Sequence, residues 1–307
     1  MASAAQSAWA HLAHLGILRF TGPDALNFLQ GQVSSDTRRL AEKVSLLSSY
    51  SNPQGRVLAL IYLLPHSSGV AAILPREILL PTLQRMRKFI LRSKVQIEDA
   101  GDSLKVAGVH GDQALRGAGL PVPQEANGYL EQDGIGVARV NHDRNRFWVI
   151  GAAVKLSDAM GADAIEAGAA SGGDHWRLAD IQAGLPQVYA VTSEAFVAQM
   201  LNLDLLDGIS FSKGCYTGQE IIARTQNLGR IKRRLFRLQL PAGSWSVGQA
   251  LHLADGRQGR LTEVIDSGGR IDALAVLSID ATGNELPAAL PVAATELPLP
   301  YSLSQDV

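Results

Sequence analysis

The chain has 307 residues with 28 basic and 29 acidic side chains, so its formal net charge is -1. This balance argues against a general nucleic-acid binder, because such proteins carry a strongly basic field. Hydrophobic residues make up 46% and charged residues 19% of the chain, a composition that buries a core and excludes an intrinsically disordered protein. The single cysteine, Cys215, excludes an internal disulfide and a zinc site built on several thiolates.

The N-terminal part of the chain predicts one helix followed by three strands. In TGPDALNFLQGQV, Thr21 or Asp24 suits the cap of a helix and Pro23 suits its first turn. Three apolar runs come next, and the turn-forming segments SNPQGR and HSSG separate them. We therefore expect antiparallel strands at residues 44–47, 57–64 and 70–74.

The middle of the chain mixes helices with further short strands. The segment PTLQRMRKFILRSKVQIED predicts a helix that begins at Pro81 and leads into a strand at residues 95–97. Because helices are mixed with antiparallel strands, the pattern favours an α+β fold over a doubly wound parallel sheet. The other predicted strands lie near residues 104–109, 136–140 and 146–150, and the other predicted helices lie near residues 154–169 and 175–183.

After Arg234 the sequence pattern is typical of strands alone. RLFRLQL alternates apolar with polar residues, and a later segment predicts a hairpin that turns at SGG. No helix of ordinary length fits between residues 235 and 279. We therefore predict two domains, residues 1–234 and residues 235–307, the second being a small all-β barrel.

Neither export nor membrane insertion is predicted. Residues 1–18 contain no lysine or arginine, unlike the charged start of a secretory signal. The longest apolar run, VLALIYLLP at residues 57–65, is too short to span a bilayer. The sequence predicts a soluble, cytoplasmic protein without a membrane partner, and its cysteine usage fits a reducing compartment.

The only cysteine lies in FSKGCYTGQE, directly ahead of a predicted helix. Thr217 and Glu220 have the spacing of a capping box. This would place Cys215 just outside a helix N-terminus, where the backbone dipole favours an anion. Lys213 adds positive charge, and both effects lower the pKa of a thiol. The pattern predicts a reactive thiolate, and the alternative is a small buried thiol in a glycine-rich turn.

The segment LNLDLLDGISFSKGCYTGQEIIARTQNLGRIKRRL resembles the signature of the YgfZ-type folate-binding proteins. These are relatives of the aminomethyltransferase, or T-protein, of the glycine cleavage system. DALNFLQGQVSSD, NPQGRVLA and GLPQVYAVTSEAFVAQMLNLDLL support the resemblance, which covers most of the first 235 residues. It implies a T-protein-like ring of mixed α/β subdomains around a channel that accepts a reduced folate. Two interwoven α+β subdomains would form residues 1–234, and the C-terminal β-barrel would complete the ring.

The resemblance also implies the site residues, by motif position. Cys215 becomes the redox-active thiol, with Lys213 beside it. A folate needs polar partners for its pterin edge and positive charge for its glutamate tail, and the implied folate-binding residues are Tyr216, Gly218, Gln219, Glu220 and Arg224. Asp36, Asn52 and Arg56 lie in the matched N-terminal segments and are further candidates for the folate channel. Alternatively, residues 52–55 form no more than a tight turn.

One position departs from the aminomethyltransferase pattern. Those enzymes carry an acidic pair shortly after a glycine, and this chain has Ala59 and Leu60 there. Neither side chain orients an amine or relays a proton. Aminomethyl transfer is therefore not expected, whereas folate binding does not require it and is still expected.

In the YgfZ-type family the cysteine string is tied to the maintenance of iron–sulfur proteins, including enzymes that modify tRNA. A cluster normally takes several thiolate ligands, so no stably bound metal is expected. Cys215 would instead contact a cluster during transfer, carry a persulfide or protect the cluster of a partner.

The first functional hypothesis is a tetrahydrofolate-binding accessory protein for the assembly, repair or maintenance of iron–sulfur enzymes. Its expected partners are a reduced folate, either tetrahydrofolate or a one-carbon derivative, and iron–sulfur proteins or their assembly machinery. One alternative is a folate-dependent one-carbon transferase, for instance a demethylase. The other is a structural adaptor whose thiol is inert.

Two basic clusters interrupt the nearly neutral chain. One interpretation is structural: the clusters form a solvated helix face and an edge strand whose charges prevent aggregation. The other is an anionic partner, either a polyglutamate tail or, less in keeping with the net charge, tRNA bound directly. The first cluster is Arg85, Arg87, Lys88, Arg92 and Lys94, and the second is Arg230, Lys232, Arg233, Arg234 and Arg237.

Overall fold

The computed structural model describes residues 8–140, 143, 145–160, 162–227, 231–280 and 291–303, without the side chains of residues 162–172. Two compact units divide the chain. The first unit comprises Met1–Gly31, Asp36–Leu47 and Ile61–Trp176, and the second comprises Gln32–Ser35, Ser48–Leu60 and Arg177–Val307. The chain therefore passes between the units repeatedly. The predicted domain boundary between residues 234 and 235 stays a prediction.

Strands and helices are mixed along the described residues. The strands are β1 (Trp9–His11), β2 (Leu15–Thr21), β3 (Leu46–Ser51), β4 (Val57–His66), β5 (Gly69–Pro75), β6 (Gln96–Asp99), β7 (Lys105–His110), β8 (Tyr129–Gln132), β9 (Ile135–Arg139), β10 (Arg146–Gly151), β11 (Arg233–Leu240), β12 (Ala250–His252), β13 (Gln258–Asp266), β14 (Ile271–Ser278) and β15 (Thr295–Leu297). The helices are α1 (Ala25–Gln30), α2 (Arg76–Arg87), α3 (Asp112–Gly117), α4 (Ala153–Met160), α5 (Ala162–Ala183) and α6 (Gln219–Asn227).

A five-stranded antiparallel sheet in the first unit has the order β1-β7-β10-β9-β8. Phe147 in β10 lies opposite Val109 of β7, and both side chains are fully buried. Leu115 of α3 and Leu156 of α4 belong to the same apolar cluster. Since side chains alternate across a strand, this cluster covers one face of the sheet with the two helices.

Trp176, near the end of α5, is fully buried beside β7 and β10. Its ring centroid lies 5.0 Å from that of Trp148 in β10. A Cβ atom on Gly108 of β7 would lie 2.2 Å from the Trp176 ring, which is closer than any real carbon contact. Only glycine at this position leaves space for the indole ring of Trp176.

A second five-stranded sheet has the order β3-β4-β5-β2-β6. β4 and β5 form a hairpin in which His66 lies opposite Gly69. Nearly every residue of these two strands is buried, so the apolar runs read from the sequence are continuous core strands. Residues of β3 and β4 belong partly to the first unit and partly to the second.

The third sheet lies in the second unit and has the order β12-β13-β14-β11-β15. Leu238, Leu261 and Ala273 are fully buried in its apolar cluster. β13 and β14 form the predicted hairpin, with an irregularity between Leu261 and Glu263. In the described part of the chain the first and last strands of this sheet are not paired with each other. The closed barrel and the ring of subdomains stay predictions.

The mixed α/β class with antiparallel sheets is confirmed, whereas several local expectations are wrong. Helix α2 begins at Arg76 rather than at Pro81, because the buried side chains of Ile78 and Leu79 extend the packed face upstream, and packing overrides propensity. The sequence predicted two helices separated at residues 170–174, but these residues are helical because α5 runs through them. Asp24 makes no side-chain cap for α1; its carboxylate accepts a hydrogen bond from the backbone N–H of Lys94 at 2.7 Å.

In the part of the chain that the structure describes, none of the helices combines the length and the apolar character needed to cross a membrane.

We expect Gly108→Ala to lower the free energy of unfolding of the first unit by about 1–3 kcal/mol, because the new methyl group collides with the buried Trp176 ring. Urea denaturation followed by tryptophan fluorescence measures the change. Gly117→Ala is the matched control, since a Cβ atom at Gly117 meets nothing within 4 Å. Equal stability of the two variants would contradict the assigned packing.

Candidate functional site

The cysteine segment, defined here as Phe211 to Glu220, leads into helix α6 in the second unit. The helix begins at Gln219, so the expected capping box of Thr217 and Glu220 is wrong. Instead, the backbone N–H of Tyr216 donates to Oε1 of Gln219 at 3.3 Å. Gly218 has a φ of 84°, a left-handed conformation that glycine adopts without strain. The chain turns at Gly218 to enter the helix.

The structure separates the two residues that were expected to act together. Cys215 is exposed, which excludes the alternative of a buried thiol. Lys213 is only 5% exposed, so it is not a surface cation. The thiol is therefore accessible to a large partner, whereas the ammonium group is enclosed by protein.

Lys213 joins residues 33–35 to the cysteine segment within the second unit. Its Nζ donates to the carbonyl oxygen of Val33 at 2.7 Å and to that of Ser35 at 2.8 Å. The same nitrogen lies 4.8 Å from the centroid of the Tyr216 ring, within the range of a cation–π interaction. Burial raises the pKa of Tyr216 to about 12. Both Lys213 and Tyr216 thus have structural contacts inside the unit.

A buried serine cluster lies beside these carbonyl groups. Ser34 Oγ donates to the carbonyl oxygen of Gly208 at 2.6 Å and accepts the backbone N–H of Ser49 at 2.8 Å. Ser35 donates through both its backbone N–H and its hydroxyl to Ser48 Oγ, at 2.9 and 2.8 Å. These bonds hold residues 33–35 against β3 and against the segment before Cys215.

The turn at residues 52–55 contacts the start of helix α6. Asn52 Oδ1 accepts the backbone N–H groups of Gln54 and Arg56, each at 3.0 Å, and closes the turn. A Cβ atom on Gly218 would lie 2.7 Å from the carbonyl oxygen of Asn52, and one on Gly55 would lie 2.8 Å from the Ile221 side chain. The backbone segments approach each other so closely because both positions are glycine. The tight turn is real, and it also forms part of the candidate site.

The remaining candidate residues differ in exposure. Glu220 and Arg224 are exposed on α6. Arg56 is also exposed, and its guanidinium donates to the carbonyl oxygen of Ala195 at 3.1 Å. Asp36 belongs to the first unit, where hydrogen bonds from the Arg38 side chain hold the pKa of its carboxyl group well below its usual range.

Two hydroxyl groups of strand β3 are buried without a hydrogen-bond partner in the described part of the molecule. They belong to Ser49 and Ser51, which are 1% and 2% exposed. The Ser51 Cβ atom lies 3.2 Å from the position that a Cβ atom would take on Gly218. Because buried polar groups in proteins are usually paired, these hydroxyls are candidate partners for a bound water or a polar ligand.

The position of the missing acidic pair is part of the core. Ala59 and Leu60 are both fully buried in β4. The chain therefore provides no proton-transfer group at these two positions.

Three curated proteins named tRNA-modifying protein YgfZ are similar to this chain. The one from Enterobacter sp. (strain 638) is 32% identical over 302 residues, covering 93% of this chain and 90% of the relative. The one from Cronobacter sakazakii is 32% identical over 304 residues, with the same coverage of 93% and 90%. The chain belongs to the YgfZ family. A further YgfZ protein, from Hamiltonella defensa subsp. Acyrthosiphon pisum, is 32% identical over 243 residues, covering 78% of this chain and 70% of the relative.

Among solved structures, the glycine cleavage system aminomethyltransferase T from Bartonella henselae matches with a TM-score of 0.61 at 14% identity. The match covers 88% of this chain and 78% of that chain. This YgfZ-family chain therefore has a mixed α/β fold similar to that of the T-protein, as predicted. No protein-family profile matches the sequence.

Sequence reasoning missed the polar residues that support the site of this YgfZ-family chain. Ser34, Ser35 and Ser48 lie in serine-rich stretches, which were the available signal. Glu194 accepts a hydrogen bond from the Asn52 side chain at 3.1 Å. Gln199 is fully buried and donates to the carbonyl oxygen of Ile222 in α6 at 2.7 Å. All of these contacts join segments that are distant in sequence.

The second basic cluster is partly structural. Arg234 is 3% exposed and forms a two-pronged ion pair with Asp204, with N–O distances of 2.6 and 2.8 Å. It also donates to the carbonyl oxygen of Gln199 at 2.9 Å. The guanidinium group of Arg234 is thus bound by acceptors within the unit.

The described residues contain no group of three His, Cys, Asp or Glu side chains placed to hold a metal ion.

We expect Lys213→Met to lower the free energy of unfolding of the second unit by about 2–3 kcal/mol, since the buried carbonyl groups of Val33 and Ser35 lose their donor. Chemical denaturation measures the loss. Lys232→Met removes an exposed ammonium group and is expected to change stability by less than about 0.5 kcal/mol. A Lys213 variant as stable as the control would show that the ammonium contacts contribute nothing.

Proposed function

We propose that this protein binds a reduced folate, tetrahydrofolate or a one-carbon derivative, and supports iron–sulfur enzymes, including those that modify tRNA. The observation that carries the proposal is the contact between the Asn52 turn and the cysteine segment. These are two of the sequence motifs of the resemblance, and glycines at positions 55 and 218 allow their close approach. The relatives named tRNA-modifying protein support the connection with tRNA.

The residues of the second unit fit a folate by their chemistry. The unpaired hydroxyls of Ser49 and Ser51 suit the polar edge of a pterin ring. The exposed guanidinium groups of Arg56 and Arg224 suit the carboxylates of a glutamate tail. When bound, the folate would supply a carrier for a one-carbon unit. Gln219 and Glu220 add polar groups at the start of α6.

Cys215 has the accessibility that a role toward a protein partner requires. Its exposure allows direct contact with a cluster or with a persulfide donor. A single thiol does not supply the several ligands of a stable cluster. The proposed contact with iron–sulfur proteins or their assembly machinery is therefore transient, in the cytoplasm.

The one-carbon transferase alternative is less well supported. Ala59 and Leu60 are buried and apolar where the aminomethyltransferases carry their acidic pair. A transferase would need another group to accept the proton that those enzymes handle there. The folate-binding accessory role needs no such group.

We expect Arg224→Ala to weaken the binding of polyglutamylated tetrahydrofolate by about fivefold, because an exposed ion pair is lost. Anaerobic calorimetry of the full chain measures the affinity. The monoglutamate form is expected to lose less, since it lacks most of the tail charge.

Arg270→Ala is the matched control, because Arg270 is an exposed arginine of the same unit that belongs to neither basic cluster. Unchanged affinity in Arg224→Ala would remove this residue from the site. Absence of saturable binding by the unmodified protein would refute the folate proposal as a whole.

We expect Cys215→Ser to leave the fold and the tetrahydrofolate affinity unchanged but to abolish support of iron–sulfur enzymes. The side chain is exposed, so its loss removes chemistry rather than packing. Thermal unfolding and calorimetry check the first part. The activity of an iron–sulfur tRNA-modifying enzyme, in cells whose only copy of the protein is the variant, checks the second. Full enzyme activity in those cells would exclude a thiol role.

A further inference from the structure

A large cavity lies wholly within the first unit. Its volume is about 820 Å³, within the range of about 300–1,000 Å³ that is usual for small-molecule sites. The end of β2, helix α1, the turn between β4 and β5, and strand β8 surround it. None of the residues considered so far for folate or thiol chemistry lines this cavity.

The walls of the cavity are mainly apolar. Phe20 and Val70 are buried at its base, with exposures of 0% and 7%. Leu26 and Leu130 also line it, and they are 38% and 39% exposed. Exposed leucines that converge on one concavity leave apolar surface in water, which a ligand with an apolar body would cover.

The imidazole ring of His66 lines this cavity. The backbone N–H of Ser68 donates to Nδ1 of His66 at 3.1 Å. Ser68 Oγ lies 2.7 Å from the same nitrogen, and in the tautomer in which Nδ1 accepts these contacts the ring proton is on Nε2. The His66 side chain is 4% exposed, and Nε2 is buried without a hydrogen-bond partner in the described residues. Leaving such a donor unpaired is unfavourable.

Glu131 presents an acceptor next to this donor. Its Oε2 accepts the backbone N–H of Ser67 and the Tyr129 hydroxyl, both at 2.9 Å. Its Oε1 accepts the Ser67 hydroxyl and keeps a second lone pair. Burial alone would raise the pKa of Glu131, but the hydrogen bonds from Ser67 and Tyr129 lower it below its ordinary value. The group is therefore a carboxylate, which accepts hydrogen bonds and donates none.

The two groups are too far apart to satisfy each other. Glu131 Oε1 and His66 Nε2 are 3.9 Å apart, beyond hydrogen-bond distance. A molecule with an acceptor and a donor on neighbouring atoms would satisfy both at once. Among the lining residues Glu131 and Lys43 carry opposite charges, and Lys43 is exposed. This balance favours a neutral ligand.

We propose that this cavity binds a neutral, largely apolar molecule that carries a cyclic amide, in which the carbonyl accepts from His66 Nε2 and the adjacent N–H donates to Glu131. Planar lactam heterocycles have this arrangement of groups. Their rings would lie against Phe20, Leu26 and Leu130. This binding activity is separate from the proposed folate site, which uses residues of the second unit.

The test uses 2-quinolinone, a neutral bicyclic lactam, in an NMR titration of the full chain labelled with ¹⁵N at histidine. We expect saturable binding at about millimolar concentration or tighter, with a shift of the His66 ring signals. Two matched ligands isolate the polar pair. 1-Methyl-2-quinolinone lacks the N–H donor, and naphthalene lacks both polar groups. Each is expected to bind at least about tenfold more weakly.

Variants test the same assignment from the side of the protein. His66→Leu is expected to weaken binding of 2-quinolinone about tenfold, whereas His66→Gln, which keeps an N–H donor, is expected to stay within about threefold. Leu26→Trp is expected to block the cavity. Leu80→Trp is its control, since Leu80 is 55% exposed on α2 and does not line the cavity. Thermal unfolding verifies that each variant is folded.

Three outcomes would overturn the proposal. One is the absence of saturable binding, as expected if one water molecule bridges His66 and Glu131. Another is equal affinity for 2-quinolinone and its N-methyl derivative. The third is unchanged binding in both His66→Leu and Leu26→Trp, which would place the ligand elsewhere.

Discussion

The buried ammonium group of Lys213 is the interaction on which the candidate site depends. An unpaired charge in a protein interior is strongly unfavourable, so the backbone must bring acceptors to it. The carbonyl groups of Val33 and Ser35 do so, and the neighbouring serine hydroxyls fix those residues against β3. The conformation of the cysteine segment follows from this requirement. In that conformation Lys213 is enclosed and Cys215 is exposed.

Much of the fold could be predicted from the sequence because its signals are local. Alternating or continuous apolar runs identified β4, β5, β11 and the hairpin of β13 and β14. Helix starts were predicted less well. Pro81 and Asp24 are typical of helix N-termini. The packing of Ile78 and Leu79, however, places the start of α2 upstream of Pro81. The carboxylate of Asp24 accepts a hydrogen bond from Lys94 instead of capping α1.

The candidate site could be predicted in composition but not in geometry. The motif gave Lys213, Cys215 and Gly218, yet nothing in the segment shows which side chain points inward. The partners of Lys213 lie 180 and 178 residues away in the chain, beyond the reach of any local pattern. The same holds for Arg234, which belongs to a run of basic residues but is buried against Asp204. Charge in this nearly neutral chain is thus used partly to build the interior.

The single exposed cysteine limits which disulfides this chain forms. A chain with one thiol forms at most one disulfide, and that bond must be intermolecular. Without another thiol compound, a disulfide therefore joins two copies into a covalent pair and adds no third copy, because the pair has no thiol left. Since Lys213 rather than Cys215 contributes the buried contacts, such a bond forms outside the core, and a reductant restores separate chains.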